Sequence, residues 1–189
     1  MNRYFFPVAV LSLAAIIVLA LYFGFKSQSS HVPSRVSTPS PLPSAIAAAQ
    51  GCLVGHWTLL REVGSLTPAS PTAPTQVSGF DDSTLDLAAN GTATFDYSAS
   101  QPAVIHAGAK IELVTRRGKL SARWRAISPT ILTFTTTSDK VTVTTGQQSI
   151  PLADPGTFLV TYTCHDQDLQ ITVSGQAGSR YLDTYQRTA

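Results

Sequence analysis

The sequence predicts an all-β domain, either a small antiparallel barrel or a sandwich, preceded by one N-terminal transmembrane helix. Three observations support this prediction. The N-terminal stretch is apolar and uncharged, the chain after residue 50 alternates apolar and polar residues, and the only two cysteines lie near opposite ends of that alternating region. A length of 189 residues leaves room for one ordinary domain besides the N-terminal segment.

Residues 4–25 carry no charged side chain and have aromatic residues at both ends. At a rise of 1.5 Å per residue, a helix of this length spans the hydrocarbon core of a bilayer. We therefore expect residues 1–3 in the cytoplasm and residues 4–25 as a signal-anchor helix in the cell membrane. The alternative is a cleaved signal peptide and a secreted domain. The length of the apolar stretch and the lack of a nearby small-residue cleavage site disfavour it.

Residues 26–50 are rich in Ser, Thr and Pro, which recurs at positions 33, 39, 41 and 43. Such a segment buries too little apolar surface to offset the entropy cost of ordering it. We expect a disordered, extended linker that holds the domain away from the lipid headgroups. The extracytoplasmic domain is then predicted to cover residues 51–189.

Within that domain the alternation has period two, the pattern of strands with one buried face. Turn signals between the alternating runs indicate roughly eight to ten short strands connected mostly as a meander. These turns are predicted at Asn90-Gly91, Arg117-Gly118, Ser138-Asp139 and residues 165–167. The proline-rich segment 66–79 lacks the alternation, so it is predicted to be a long loop, either a lid or a disordered segment.

Five basic residues surround the turn predicted at Gly118, and we interpret them as one solvated hairpin face. They are Arg116, Arg117, Lys119, Arg123 and Arg125. The chain has no dense basic stripe with interleaved aromatic residues, so we expect no nucleic-acid partner.

The cysteines, Cys52 and Cys164, are expected to form a disulfide, because a pair in an exported domain is most simply explained that way. The alternatives are free thiols or a metal site that adds His56 and His165 to the two sulfur atoms. The spacing of these four residues does not resemble a common zinc motif, and an oxidising compartment favours the disulfide.

Residues 51–60 read GCLVGHWTLL and contain Gly55-x-Trp57, which resembles the G-x-W signature of the lipocalin and wider calycin barrels. The resemblance implies an up-and-down barrel in which Trp57 closes one end and Arg187 packs over the indole ring. The matching segments 52–57, 85–92 and 162–164 are similar to exported lipocalin-like domains of bacterial proteins. The order Asp183-Thr184-Tyr185 departs from the T-D-Y segment of lipocalins. The resemblance implies a fold but no established activity.

We find no constellation of nucleophile, base and orienting group, so we expect no enzymatic activity, no cofactor and no metal. The leading hypothesis is a membrane-tethered module for a small hydrophobic ligand. The alternatives are a solidly packed module that binds envelope proteins, and an enzyme or metal protein using His56, Cys52, Cys164 and His165. Partners would then be the bilayer, through residues 4–25, and either the ligand or an envelope protein.

If the barrel is hollow, the strand pattern also predicts which side chains line it. The ligand-lining candidates are Leu85, Phe95, Tyr97, Leu113, Trp124, Phe134, Phe158 and Tyr162. Ile111, two residues before Leu113, is predicted to face inward as well.

Overall fold

The structure, a computed structural model, describes residues 44–66, 75–107, 110–151, 155–174 and 179–188. The predicted N-terminus (1–3), transmembrane segment (4–25) and most of the predicted linker lie outside the described residues. Within the described ranges, no helix is both long enough and apolar enough to cross a bilayer.

The described residues form one helix and thirteen strands, and all the strands belong to one antiparallel sheet. The helix is α1 (Ser44–Leu53). The strands are β1 (Gly55–Leu66), β2 (Thr75–Gly79), β3 (Thr84–Leu87), β4 (Thr92–Asp96), β5 (Ala103–Ala107), β6 (Lys110–Arg117), β7 (Lys119–Ser128), β8 (Ile131–Asp139), β9 (Thr142–Thr145), β10 (Gln148–Pro151), β11 (Thr157–His165), β12 (Asp168–Ser174) and β13 (Arg180–Arg187).

Eight of these strands close into a barrel, which confirms the predicted all-β class and selects the barrel over the sandwich. This closed ring runs β1-β3-β4-β7-β8-β11-β12-β13, and β13 pairs back onto β1. The other five strands, β2, β5, β6, β9 and β10, extend the sheet from the second half of β1. We call them the upper tier. In the described residues the upper tier ends at the edge strand β10, so it does not close as the ring does.

In several places a strand of one tier runs directly into the next strand of the other tier, so that the two form one long, bent strand. For example, β6 lies along β5 and β7 along β4, with Ala103 opposite Val114 and Thr92 opposite Arg123. Thus β6 and β7 form one strand that bends at Gly118, and the predicted hairpin at Arg117-Gly118 is wrong. Gly118 has φ +105°, and a Cβ there would overlap the carbonyl oxygen of Lys140. Glycine is needed at this bend because the segment that joins β8 to β9 lies against it.

A second predicted turn, Ser138-Asp139, is wrong for the same reason. β8 lies along β7 and β9 along β6, so the chain bends at this position without turning back. The turns at Asn90-Gly91 and residues 165–167 are confirmed, since they connect the antiparallel pairs β3–β4 and β11–β12. The predicted loop 66–79 contains a strand, β2, which pairs with β1.

Helix α1 packs against one end of the barrel, and residues 44–50, assigned to the linker from the sequence, form most of it. Its Ala-rich segment has high helix propensity, although the surrounding prolines and serines suggested disorder. Ile46 and Ala49 pack on the core, and Leu53 is fully buried. The folded part of the chain therefore begins before Gly51.

Cys52, in α1, and Cys164, in β11, form the predicted disulfide across a sequence separation of 112 residues. The bond ties the helix to the ring wall. It also uses both sulfur atoms that the metal alternative required.

Candidate ligand-binding cavity

A cavity of about 130 Å³ lies inside the barrel where the closed ring meets the upper tier. Both tiers contribute to its wall. The residues that line it are Leu59, Glu62, Val77, Phe80, Phe95, Tyr97, Ile105, Val114, Arg116, Leu120, Val143, Pro155, Phe158, Val173, Tyr181, Asp183 and Tyr185. Most of these side chains are apolar or aromatic, and three are acidic or basic: Glu62, Arg116 and Asp183.

The apolar wall is packed on the ring side by a row of phenyl rings. Phe134 stacks on Phe158 and meets Phe95 edge to face, with both centroid distances at 5.3 Å. Phe134 itself is buried behind the cavity, whereas Phe95 and Phe158 reach its surface. Offset and edge-to-face aromatic pairs pack a stiff interior, so this side of the cavity has a fixed shape.

A β-bulge in β1 places a carboxylate inside the barrel. Trp57 and Leu59 face inward, but the register with β13 shifts between Leu59 and Arg61, so Leu60 is an extra residue. After the bulge the buried positions become Glu62 and Gly64, while Arg61 and Val63 are exposed. Simple alternation would have placed Arg61 inside. The bulge thus changes which side chains reach the cavity.

Glu62 is 4% exposed and forms a two-point ion pair with Arg116 of β6. Arg116 Nη1 donates to Glu62 Oε2 at 3.2 Å, and Nη2 donates to Oε1 at 3.4 Å. The guanidinium also lies over two rings, 4.0 Å from the centroid of Phe80 and 4.9 Å from that of Tyr97. Burial lowers the pKa of Arg116, but the Glu62 carboxylate outweighs it, so the net pKa is raised. Arg116 therefore stays charged.

Asp183 lies opposite Glu62 in the β1–β13 register and is the second carboxyl group in the cavity. Its Oδ1 atom is buried and has no hydrogen-bond partner among the described residues. Its Oδ2 atom has only the hydroxyl of Tyr185, which donates across a long 3.5 Å. Burial raises the pKa of Asp183 well above its usual range, and the nearby charge of Glu62 raises it further.

Tyr181 and Tyr185 flank Asp183 on the inward face of β13. Tyr97, the residue that follows β4, also lines the cavity. Burial raises the pKa values of Tyr181 and Tyr185, and it raises that of Tyr97 to about 12. These hydroxyls therefore stay protonated. Tyr181 lies directly opposite Gly64, where a Cβ would overlap its ring. The glycine lets the tyrosine ring lie against the cavity wall.

The sequence-predicted lining residues divide into three groups. Phe95, Tyr97 and Phe158 line the cavity. Four others are buried in the core without lining it: Leu85, Trp124, Phe134 and Tyr162. The prediction for Leu113 and Ile111 is wrong, because they are 62% and 67% exposed on the outside of β6. The prediction places odd-numbered residues of this segment inside. In the structure β6 continues through Gly118 into β7, and the even-numbered residues face inward in both strands.

The same continuous phase corrects the interpretation of the basic residues. Arg116 shares the inward face with Val114, Leu120 and Trp124, whereas Arg117, Lys119, Arg123 and Arg125 are exposed. The five residues thus do not form one solvated face. The unbroken even-numbered series across Gly118 was the sequence signal that could have placed Arg116 in the interior.

The predicted floor residues lie together at the end of the barrel covered by α1. Trp57 is fully buried, and its Nε1 donates to the Leu53 carbonyl at 2.9 Å. The Arg187 guanidinium lies 4.3 Å from the centroid of the Trp57 ring. It also donates to the carbonyls of Cys52 and Val54. A Cβ at Gly55, the first residue of β1, would overlap the same guanidinium group.

The described histidines lie away from the cavity. His56, His106 and His165 are all exposed, and the Nδ1 atom of His56 pairs with Asp86 on the outer surface. The described residues contain no group of three or more side chains suited to hold a metal ion. The chemistry that the cavity offers is an aromatic enclosure with one ion pair and one unpaired carboxyl group.

Sequence reasoning missed the three charged residues. No sequence signal marks the bulge that turns Glu62 inward. Asp183 is different, since Tyr181, Asp183 and Tyr185 alternate with Leu182 and Thr184 along the segment that forms β13. The period-two spacing of these residues could have predicted a carboxyl group between two inward-facing aromatic side chains. Comparison of the chain with protein families, curated proteins and solved structures found no match.

Proposed function

We propose that this protein is a membrane-tethered, extracytoplasmic β-barrel that binds a small hydrophobic ligand in its cavity. The observation that carries the proposal is the cavity of about 130 Å³ between the closed ring and the upper tier. A cavity of about 150 Å³ lined by apolar side chains is large enough for benzene, so the expected ligand is of that order of size. The walls are mostly apolar with a few polar groups, as in small-molecule sites.

The lipocalin-like assignment is part of the same proposal. It is supported by the eight-stranded meander, by Gly55-x-Trp57 at the start of β1 and by Arg187 over the Trp57 ring. The extracytoplasmic location is supported by the disulfide, because such bonds persist in oxidising compartments. We propose a binding function and no enzymatic activity.

The tether itself rests on the uncharged segment 4–25. Carbonate extraction of membranes tests it: the full chain should stay in the pellet with its N-terminal segment intact by mass. Release of a shortened chain into the soluble fraction would establish the signal-peptide alternative instead.

Native mass spectrometry of the full chain, gently extracted in detergent, tests the binding function. We expect a retained organic ligand in the wild type. Val114→Phe places a ring in the cavity from the inner face of β6 and should abolish retention. Leu113→Phe adds the same ring to the outer face of that strand and should leave retention unchanged. Equal retention in both variants, or an empty wild-type barrel, would contradict the proposal.

A second candidate function, a packed module that binds an envelope protein, is favoured by one observation. Leu113, Val63 and Leu182 are exposed on the outside, and the strand registers place them in one row across β6, β5, β2, β1 and β13. Exposed apolar rows of this kind often mark protein contacts. An empty wild-type barrel in the mass measurement would favour this function.

A further inference from the structure

The acidic and basic side chains in the cavity do not pair off. Glu62 and Arg116 meet through two hydrogen bonds and neutralise each other. Asp183 remains, with a buried Oδ1 atom that no described residue contacts by hydrogen bond. A buried carboxyl oxygen without a partner is unfavourable, so the Oδ1 position is suited to a ligand that supplies the missing donor.

The groups around Asp183 favour a cation over a neutral donor. Tyr181 and Tyr185 lie two residues before and after it on the inward face of β13, and the faces of aromatic rings attract cations. The cavity already holds one cation in this way, since Arg116 lies over Phe80 and Tyr97. A ligand cation at Asp183 would find a similar aromatic environment together with a carboxylate.

Anionic ligands are disfavoured by the same arrangement. Arg116 already donates two N–H groups to Glu62, whose carboxylate neutralises the guanidinium, so a ligand carboxylate or phosphate would have to compete with Glu62 for it. The other carboxyl group, Asp183, can become a carboxylate for an arriving cation but offers no positive charge to an anion. The charges inside the barrel therefore discriminate against acids and in favour of bases.

We propose that the cavity binds a small organic monoamine, with its ammonium group on Asp183 between Tyr181 and Tyr185 and its apolar body against Phe95, Phe158 and Val114. This inference rests on the proposed function and specifies the ligand class for the same cavity. The volume of about 130 Å³ limits the ligand to about one aromatic ring with a short substituent that reaches Asp183.

Binding of this ligand would release a proton. In the empty cavity the raised pKa of Asp183 keeps its carboxyl group protonated to higher pH than in water, and Glu62, Arg116 and three tyrosines surround it. An arriving ammonium favours the carboxylate, so the Asp183 proton passes to solvent as the ion pair forms. Tyr97, Tyr181 and Tyr185 have raised pKa values and stay neutral.

The test compares three probes of nearly equal shape: benzylamine, benzyl alcohol and benzoate. Each is titrated into the full chain by isothermal calorimetry, in two buffers with different heats of ionisation. We expect benzylamine to bind about tenfold or more tightly than benzyl alcohol, and benzoate to bind more weakly than either. The benzylamine enthalpy should depend on the buffer, as proton release requires.

Two variants complete the design. Asp183→Asn removes the charge with little change in shape and should abolish the preference for benzylamine while benzyl alcohol still binds. Asp168→Asn removes an exposed carboxylate from the outer end of β12 and should leave the preference unchanged. Melting curves check that both variants fold. The comparison of the three probes on the wild-type protein does not depend on the variants.

The outcomes separate the two levels of the proposal. If benzyl alcohol or benzoate binds the wild type as tightly as benzylamine, the amine inference is overturned and the proposed binding function remains. If none of the three probes binds, the inference falls together with the proposed function.

Discussion

Asp183 combines three properties at one residue: burial, a neighbouring carboxylate and no full hydrogen-bond partner. Natural proteins satisfy most buried polar groups, and exceptions often occur at functional positions. Its neighbour Glu62 has the opposite situation, with a two-point pair to Arg116. The comparison shows that a carboxylate can be buried in this cavity when a cationic side chain pairs with it, as Arg116 does with Glu62.

The raised pKa of Asp183 predicts how the stability of the empty protein depends on pH. Above about pH 4 the side chain ionises in the unfolded chain, while the folded protein keeps the proton. The folded state then binds more protons, so this residue lowers stability as pH rises toward its folded pKa. Asp183→Asn should therefore stabilise the empty protein at pH 8 by more than the ~0.5 kcal/mol typical of surface changes, and the gain should vanish near pH 4.

Denaturant unfolding of the full chain at several pH values measures this effect. Asp168→Asn serves as the control, because that carboxylate lies on the outer surface. Parallel stability curves for the wild type and Asp183→Asn across this pH range would show that the carboxyl group is not held protonated by the fold.

At the scale of elements, two irregularities build the cavity. The bulge at Leu60 turns Glu62 inward, and the bend at Gly118 carries one strand from the upper tier into the closed ring. Both change the direction or phase of a strand without ending it. The bulge admits the Glu62 side chain to the interior, and the bend lets the wall continue from one tier to the other without a change of phase.

Gly118→Ala should destabilise the domain by roughly 3–5 kcal/mol. The alanine Cβ would overlap the carbonyl oxygen of Lys140, and the residue would sit at φ +105°, where strain and overpacking both contribute. Gly146→Asn is the matched control, since Gly146 has φ +58° with open space around it and asparagine tolerates that conformation. Thermal unfolding compares the two. A loss below about 1 kcal/mol for Gly118→Ala would mean that the bend is not constrained as described.

The same two irregularities limited what the sequence could predict. Alternation correctly placed Trp57, Phe95 and Phe158 inside, and the Asn90-Gly91 turn formed as expected. A glycine that bends a strand has the same local signature as one in a hairpin, so the phase before Gly118 was assigned wrongly. The bulge at Leu60 depends on pairing with β13, a strand more than a hundred residues later, and local patterns do not contain that information.

At the scale of the whole molecule, the barrel has two different ends. The end covered by α1 is closed by Trp57 and Arg187 and is fastened to β11 by the disulfide. Toward the other end the sheet continues into the upper tier, which ends at β10 in the described residues. One end is therefore closed by side chains and α1, and the cavity lies farther along the barrel, between the closed ring and the upper tier.

The location of a bound ligand tests this account most directly. Intermolecular nuclear Overhauser effects from benzyl alcohol to the methyl groups of the full chain would report it without depending on the ligand charge. We predict contacts to Val114, Leu120 and Val143, which line the cavity from both tiers. Contacts confined to the exposed methyl groups of Leu113, Val63 and Leu182, or none at all, would contradict a ligand-binding barrel.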